Sequence, residues 1–172
     1  MSKTTLVLGI GNLLLGDEGV GVHAARALQR EACPREVEIL EIGTAILDAL
    51  PALERADRVI VLDAMKYDGD PGTIYRIPLG RCESSQCIAS MHGFDIFRVL
   101  ALTGREVPPE VMVFGVEPCH IGWALDLSPQ VTHALTFLIE SVKKEIKKNF
   151  GNGSPQRSQR VHYNFEIQKY DI

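Results

Sequence analysis

The segment Gly11–Gly21, GNLLLGDEGVG, follows the apolar run Leu6-Val7-Leu8. Gly11 and Gly16 have the spacing of a phosphate-binding loop, which continues with Lys and then Ser or Thr. Here Asp17 and Glu18 stand in those places, so the turn suits a cation, not an anion. Two more residues of ligand type occupy comparable positions. Asp63 closes the apolar run Arg58–Asp63, and His92 lies just before a predicted helix. In open α/β sheets, ligands bind outside the carboxyl ends of the strands. Asp17, Glu18, Asp63 and His92 all fall there. Oxygen and imidazole donors suit Zn²⁺ or Ni²⁺, and three protein ligands leave coordination positions open for a substrate.

Each residue also has a plainer reading. Asp17 or Glu18 at a helix N-terminus is worth about 0.3–1 kcal/mol as a favourable charge near the dipole. Asp63 can bond to loop amides, and a lone histidine before a helix is commonly a cap or surface residue. It is their joint placement that favours a cation site. Other chemistries fit less well. Gly9-Ile10-Gly11 opens like a dinucleotide fingerprint, but the sixth position is Leu14, and carboxylates at the helix N-terminus would repel a pyrophosphate. There is no H-E-x-x-H and no G-x-S-x-G, so zincin and serine-hydrolase schemes lack support. Cys33, Cys82, Cys87 and Cys119 match no zinc or redox spacing and read as reduced thiols. Cys82 and Cys87 are close enough to share a metal, yet ordinary loop cysteines are the expectation. Cys119 and His120 are neighbours, and neighbours on a strand point to opposite faces.

These residues need a frame to hold them. The chain has 172 residues, enough for one domain with a full core, and a net charge of −4, which gives no case for nucleic-acid binding. No apolar stretch is long enough to span a bilayer and no signal-peptide pattern is present, so a cytoplasmic location and no membrane partner are expected. Strands are expected at Leu6–Ile10, Val37–Ile42, Arg58–Asp63, Thr73–Pro78 and Val111–Val116. Helices are expected from Glu18 to about Glu31, at Ile46–Ala56, at Gly93–Leu102 and at Ser128–Lys148. Pro51 should kink the second helix or split it into two short turns. Ser128 and Pro129 suit the cap and first position of the last helix. The link before Thr73 is too short for a crossover helix, so this strand should run antiparallel to its predecessor. Trp123 is expected to pack into the core, where its indole N–H would need a partner. The alternation implies an α/β fold: a twisted, mostly parallel five-stranded sheet with helices on both faces and one antiparallel strand. Residues 1–148 form the expected domain. Residues 149–172, which begin with a Gly/Asn/Ser/Pro-rich stretch, read as a flexible tail.

Four segments together resemble a known family. LVLGIGNLLLGDEGVG (Leu6–Gly21), VIVLDAM (Val59–Met65), SMHGFDIFRVLALTG (Ser90–Gly104) and VFGVEPCHIGWALDLSPQV (Val113–Val131) are similar, in order, to the motifs of the hydrogenase maturation endopeptidases. The resemblance covers the chain to about residue 148. It implies that Glu18, Asp63 and His92 contact metal; as a mechanism built on that set, Asp17 or Glu18 would serve as general base. It further implies a twisted five-stranded sheet between helices. The implied activity is cleavage of the C-terminal extension from the large-subunit precursor of a [NiFe] hydrogenase. Nickel would be presented by that precursor, and zinc or cadmium would serve as surrogate divalent cations in crystals. Either water activated at the metal attacks the scissile carbonyl, or the metal only positions the peptide while an acid assists the water. A monomer acting on the precursor is expected. The alternative is a non-enzymatic escort that binds nickel or the precursor. One departure concerns Glu41-Ile42-Gly43-Thr44, where the family often has Asp-Gly-Gly-Thr; Ile42 lacks a glycine's freedom at positive φ. On this reading the glycines of the first loop let the backbone approach the ligand, and the acids make that ligand a cation.

Overall fold

A computed structural model describes residues 3–78, 93–106, 109–150 and 168–170. The strands are β1 (Thr5–Ile10), β2 (Val37–Gly43), β3 (Arg58–Ala64), β4 (Ile74–Pro78), β5 (Glu110–Val116) and β6 (Gln168–Tyr170). The helices are α1 (Val20–Gln29), α2 (Leu50–Arg55), α3 (Gly93–Leu102) and α4 (Pro129–Phe150). The strands form one sheet in the order β2-β1-β3-β5-β4-β6. The first four in that order are parallel; β4 runs antiparallel to β5, and β6 antiparallel to β4.

The α/β class, the mostly parallel sheet and the reversed fourth strand agree with the sequence reading. The reversed strand's neighbour is β5, which lies between it and β3. The five expected strands are joined by a sixth, whose residues 168–170 come from the stretch read as a tail. Pro51 acts as expected: a 3-10 turn, Ile46–Ala49, precedes α2, and Pro51 sits in the first turn of that helix. There its missing N–H costs nothing.

The period-two pattern of the strands sorts the core into two layers. Leu6, Leu8 and Ile10 of β1, with Val59 and Val61 of β3, pack beneath Ala52 and Leu53 of α2 and Ile96 and Val99 of α3. Val7, Ile60 and Leu62 face the other way, onto Val20, Ala24 and Leu28 of α1 and Val131, Ala134 and Leu138 of α4. β3 is buried at every position, as befits a strand inside a sheet covered on both faces. No helix among the described residues is long and apolar enough to cross a membrane.

Candidate active site

The first loop is shaped by backbone crowding. Gly11 adopts φ 130°, and its amide donates to the Gly43 carbonyl at 3.0 Å. A Cβ on Gly11 would lie 1.9 Å from the Glu18 carbonyl oxygen, and one on Gly21 would lie 2.0 Å from that of Leu62. Neither position tolerates a side chain. These glycines therefore serve the packing of the 3-10 turn Asp17–Gly19 and the start of α1 onto the ends of β1 and β3. The consequence for the site is direct: the close approach brings Glu18 to the strand end that carries Asp63.

Asp17 is 1% exposed and fully engaged. Its Oδ2 accepts from the amides of Cys119 and His120 at 2.9 and 3.0 Å and from the Ser128 hydroxyl at 2.9 Å. Its Oδ1 accepts from the Ser128 amide at 2.7 Å. One carboxylate thus ties both ends of the 119–128 loop to the glycine loop. Ser128 does more than the sequence suggested: it caps α4 through Val131 N–H at 3.4 Å and also bonds Asp17. Nothing in its local spacing pointed to a partner 111 residues away.

Glu18 and Asp63 are 3% and 2% exposed. Asp63 accepts from the Ala64 amide at 2.8 Å. By strand alternation it shares the face of Val59 and Val61, the side covered by α2 and α3. His92 lies outside the described residues, immediately before α3. Among the described residues no group of three or more His, Cys, Asp or Glu side chains is arranged to hold a metal. Asp17, Glu18 and Asp63 are each buried beyond or at the ends of β1 and β3, with Asp17 turned to the 119–128 loop.

The rim has further walls. Gly43, at φ 61°, carries the positive φ of the Glu41–Thr44 segment, so Ile42 can stay in β2. Glu41 pairs with Arg26 of α1. A cleft of about 530 Å³ opens between Thr44–Asp48 and Arg98, Val99 and Leu102 of α3. His23 of α1 is held below the usual histidine range by burial and by Arg26, against an opposing pull from Asp126. Trp123 is not in the core: it is 85% exposed. It sits in a loop whose backbone bonds to the glycine loop, so no layer of the sheet is available to cover it.

Fold and site together define a three-layer α/β protein that collects buried acids at the carboxyl rim of its sheet. Residues 22–145 match the family model of the hydrogenase maturation protease HycI. The hydrogenase 2 maturation protease of Escherichia coli K12 is 32% identical over 162 residues, covering 89% of this chain and 96% of that one. The hydrogenase expression/formation protein HupD of Thiocapsa roseopersicina is 35% identical over 142 residues. That match covers 78% of this chain, which spans only 64% of the relative's length. The solved structure of the hydrogenase maturating endopeptidase HybD from E. coli superposes with a TM-score of 0.73 at 31% identity, over 84% of this chain and 93% of that one. The chain belongs to the hydrogenase maturation protease family.

Proposed function

We propose that this chain is an endopeptidase that removes the C-terminal extension of a [NiFe] hydrogenase large-subunit precursor, and that nickel already seated in the precursor gates the cut. One observation carries the reading: Glu18 and Asp63 are both buried at the sheet rim, in a chain of the maturation protease family.

Carboxylates at a sheet rim are oxygen donors of the kind that take a divalent cation. A nickel ion carried by the substrate reaches them only when the precursor is loaded. Glu18 and Asp63, with His92, contact the ion through its open positions and so align the scissile peptide. Glu18 then takes a proton from the water that attacks the scissile carbonyl. Asp17, with four accepted hydrogen bonds, positions the 119–128 loop and leaves proton transfer to Glu18.

The test is intact mass spectrometry of a large-subunit precursor incubated with the protein, with and without nickel loading, using Glu18→Gln as control. The expected result is one discrete C-terminal loss, dependent on nickel and on Glu18. Cleavage of the metal-free precursor at the same rate would remove the gate. No loss from several loaded precursors would remove the endopeptidase and favour a non-enzymatic escort.

A further inference from the structure

We propose that Leu14, Trp123 and Leu125 form the surface on which the folded body of the precursor docks, so that affinity resides in this face and chemistry in the neighbouring acids. The inference rests on the endopeptidase reading above and names where its substrate is held.

The three side chains are 49%, 85% and 72% exposed. A soluble protein seldom leaves large apolar side chains grouped in water without a partner for them. Two loops present this group, and the backbone joins them. Gly16 N–H donates to the Ala124 carbonyl at 2.9 Å, and Ala124 N–H donates to the Leu14 carbonyl at 3.1 Å. Short bridges pair Leu15 with Ala124 and Gly16 with Ile121. Trp123 and Leu125 flank the residue so anchored, and Asp17 fastens the loop on either side of them, at Cys119, His120 and Ser128. An indole held out on a fixed backbone loses little freedom on binding, and tryptophan is over-represented among residues that dominate interface energy.

Position selects the occupant. The residue that clamps this loop is Asp17, the direct neighbour of Glu18. A partner seated on Trp123 and Leu125 therefore abuts the acid rim. A protease that cuts one bond of a folded protein must hold that protein beside the cutting groups. Leu47 and Leu102, also exposed, stand apart at the cleft between the 44–48 turn and α3. Phe137 is exposed on α4, away from both loops. The docking face therefore takes an apolar patch of the precursor next to its scissile tail, through contacts independent of nickel.

Trp123 is the chain's only tryptophan, which gives a clean probe. Full-length Glu18→Gln protein, labelled with 5-fluorotryptophan, is titrated with nickel-loaded precursor and followed by fluorine NMR. The expected result is a saturable shift or broadening of the single resonance. An unmoved resonance under conditions where the precursor binds overturns the proposal. A resonance that moves with the protein's own concentration, without precursor, also overturns it and assigns the face to a second copy of the chain. In parallel, Trp123→Ala in the active protein should raise KM about tenfold or more while changing kcat far less, with Trp123→Phe recovering part of the loss. An unchanged KM for Trp123→Ala overturns the docking role while cleavage by the parent protein stands. Failure of the parent protein to cleave sinks the endopeptidase reading instead, and the fluorine titration still reports docking.

Discussion

Strand β3 carries a buried charge at each end, and the two ends are built on opposite plans. At its start, Arg58 is 4% exposed and pairs with Glu145 of α4, whose side chain is equally buried. Arg76 of β4 gives the same carboxylate two hydrogen bonds of 3.0 Å, and Lys148 adds a contact at 3.3 Å. Burial pushes the Glu145 carboxyl up, but Arg76, Arg58 and Lys148 outweigh it and hold it at about 2. At its other end β3 delivers Asp63 to a rim shared with Asp17 and Glu18. The hydrogen bonds of Asp17 come from amides and a hydroxyl, which satisfy its oxygens without adding positive charge. The lesson is that equal burial serves different ends. A carboxylate surrounded by guanidinium groups bolts a helix to a sheet. On the proposed function, the acids at the other end instead receive a cation brought by another molecule.

The comparison breaks most sharply at Glu18. Glu18→Gln keeps size and hydrogen-bonding capacity but removes the negative charge and the base. Cleavage of loaded precursor should fall by at least about 10²-fold, the usual loss for a general base. The urea midpoint should stay close to that of the parent protein. Full cleavage would move Glu18 into the same structural category as Glu145. The reverse experiment is Glu145→Ala. It leaves Arg58 buried without its counter-charge and should cost about 3–5 kcal/mol in urea unfolding. Protein that remains folded should cleave at the parent rate, because the defect lies at the far end of the sheet. A selective loss of kcat with no loss of stability would contradict the division between the two ends.

Asp17 lies between the two types: it sits at the rim but is engaged like a structural residue. Asp17→Asn turns one acceptor into a donor that faces the amide and hydroxyl donors of Cys119, His120 and Ser128. An unsatisfied buried group of this kind costs about 1–3 kcal/mol. Cleavage should drop less than in Glu18→Gln, through KM more than kcat, because the loop bearing Trp123 is loosened. A loss as complete as that of Glu18→Gln, in a stable protein, would make Asp17 a participant in proton transfer.

Why some of this was legible in sequence and some was not follows from the range of the interactions. Short-range signals carried well: the β-branched run at Arg58–Asp63, the Pro51 break and the Ser128-Pro129 helix start are set by neighbours a few residues away. The strand-end positions of Asp17, Glu18 and Asp63 follow from topology, which puts strand ends together. What stayed hidden depends on contacts across the chain. Asp17 meets residues 102 to 111 positions away. The same carboxylate fits a helix N-terminus, a base or a clamp until those partners are placed. The crowding at Gly21 of α1 is set by Leu62 of β3. Trp123 was misplaced for the opposite reason. Residue type alone favours burial of an indole, and only the backbone tie between the two loops shows why this one stays outside. β6 is a three-residue strand with no periodicity to detect, and its identity comes from pairing with β4.

The smallest expected effect sharpens the comparison through pH. Glu145 has a folded-state pKa below that of the unfolded chain. Its stabilisation is therefore complete above the usual carboxylate pKa of 4.5 and is lost as pH falls from there toward about 2. His23 acts in a higher window. Its pKa is lowered from 6.5 by burial, then by Arg26, while Asp126 of the 119–128 loop pulls the other way. Its Nε2 is buried with no hydrogen-bond partner among the described residues. Protonation there would add a charge and a donor with nothing to receive it. The stability associated with neutral His23 is thus present above pH 6.5 and declines as pH falls below it. Urea midpoints compared at neutral and mildly acidic pH should fall less in His23→Gln than in the parent protein. The Glu145→Gln variant should retain the parent slope in that range and lose it only below the carboxylate pKa. If His23→Gln shows the full parent slope, the mild-acid sensitivity belongs to another group.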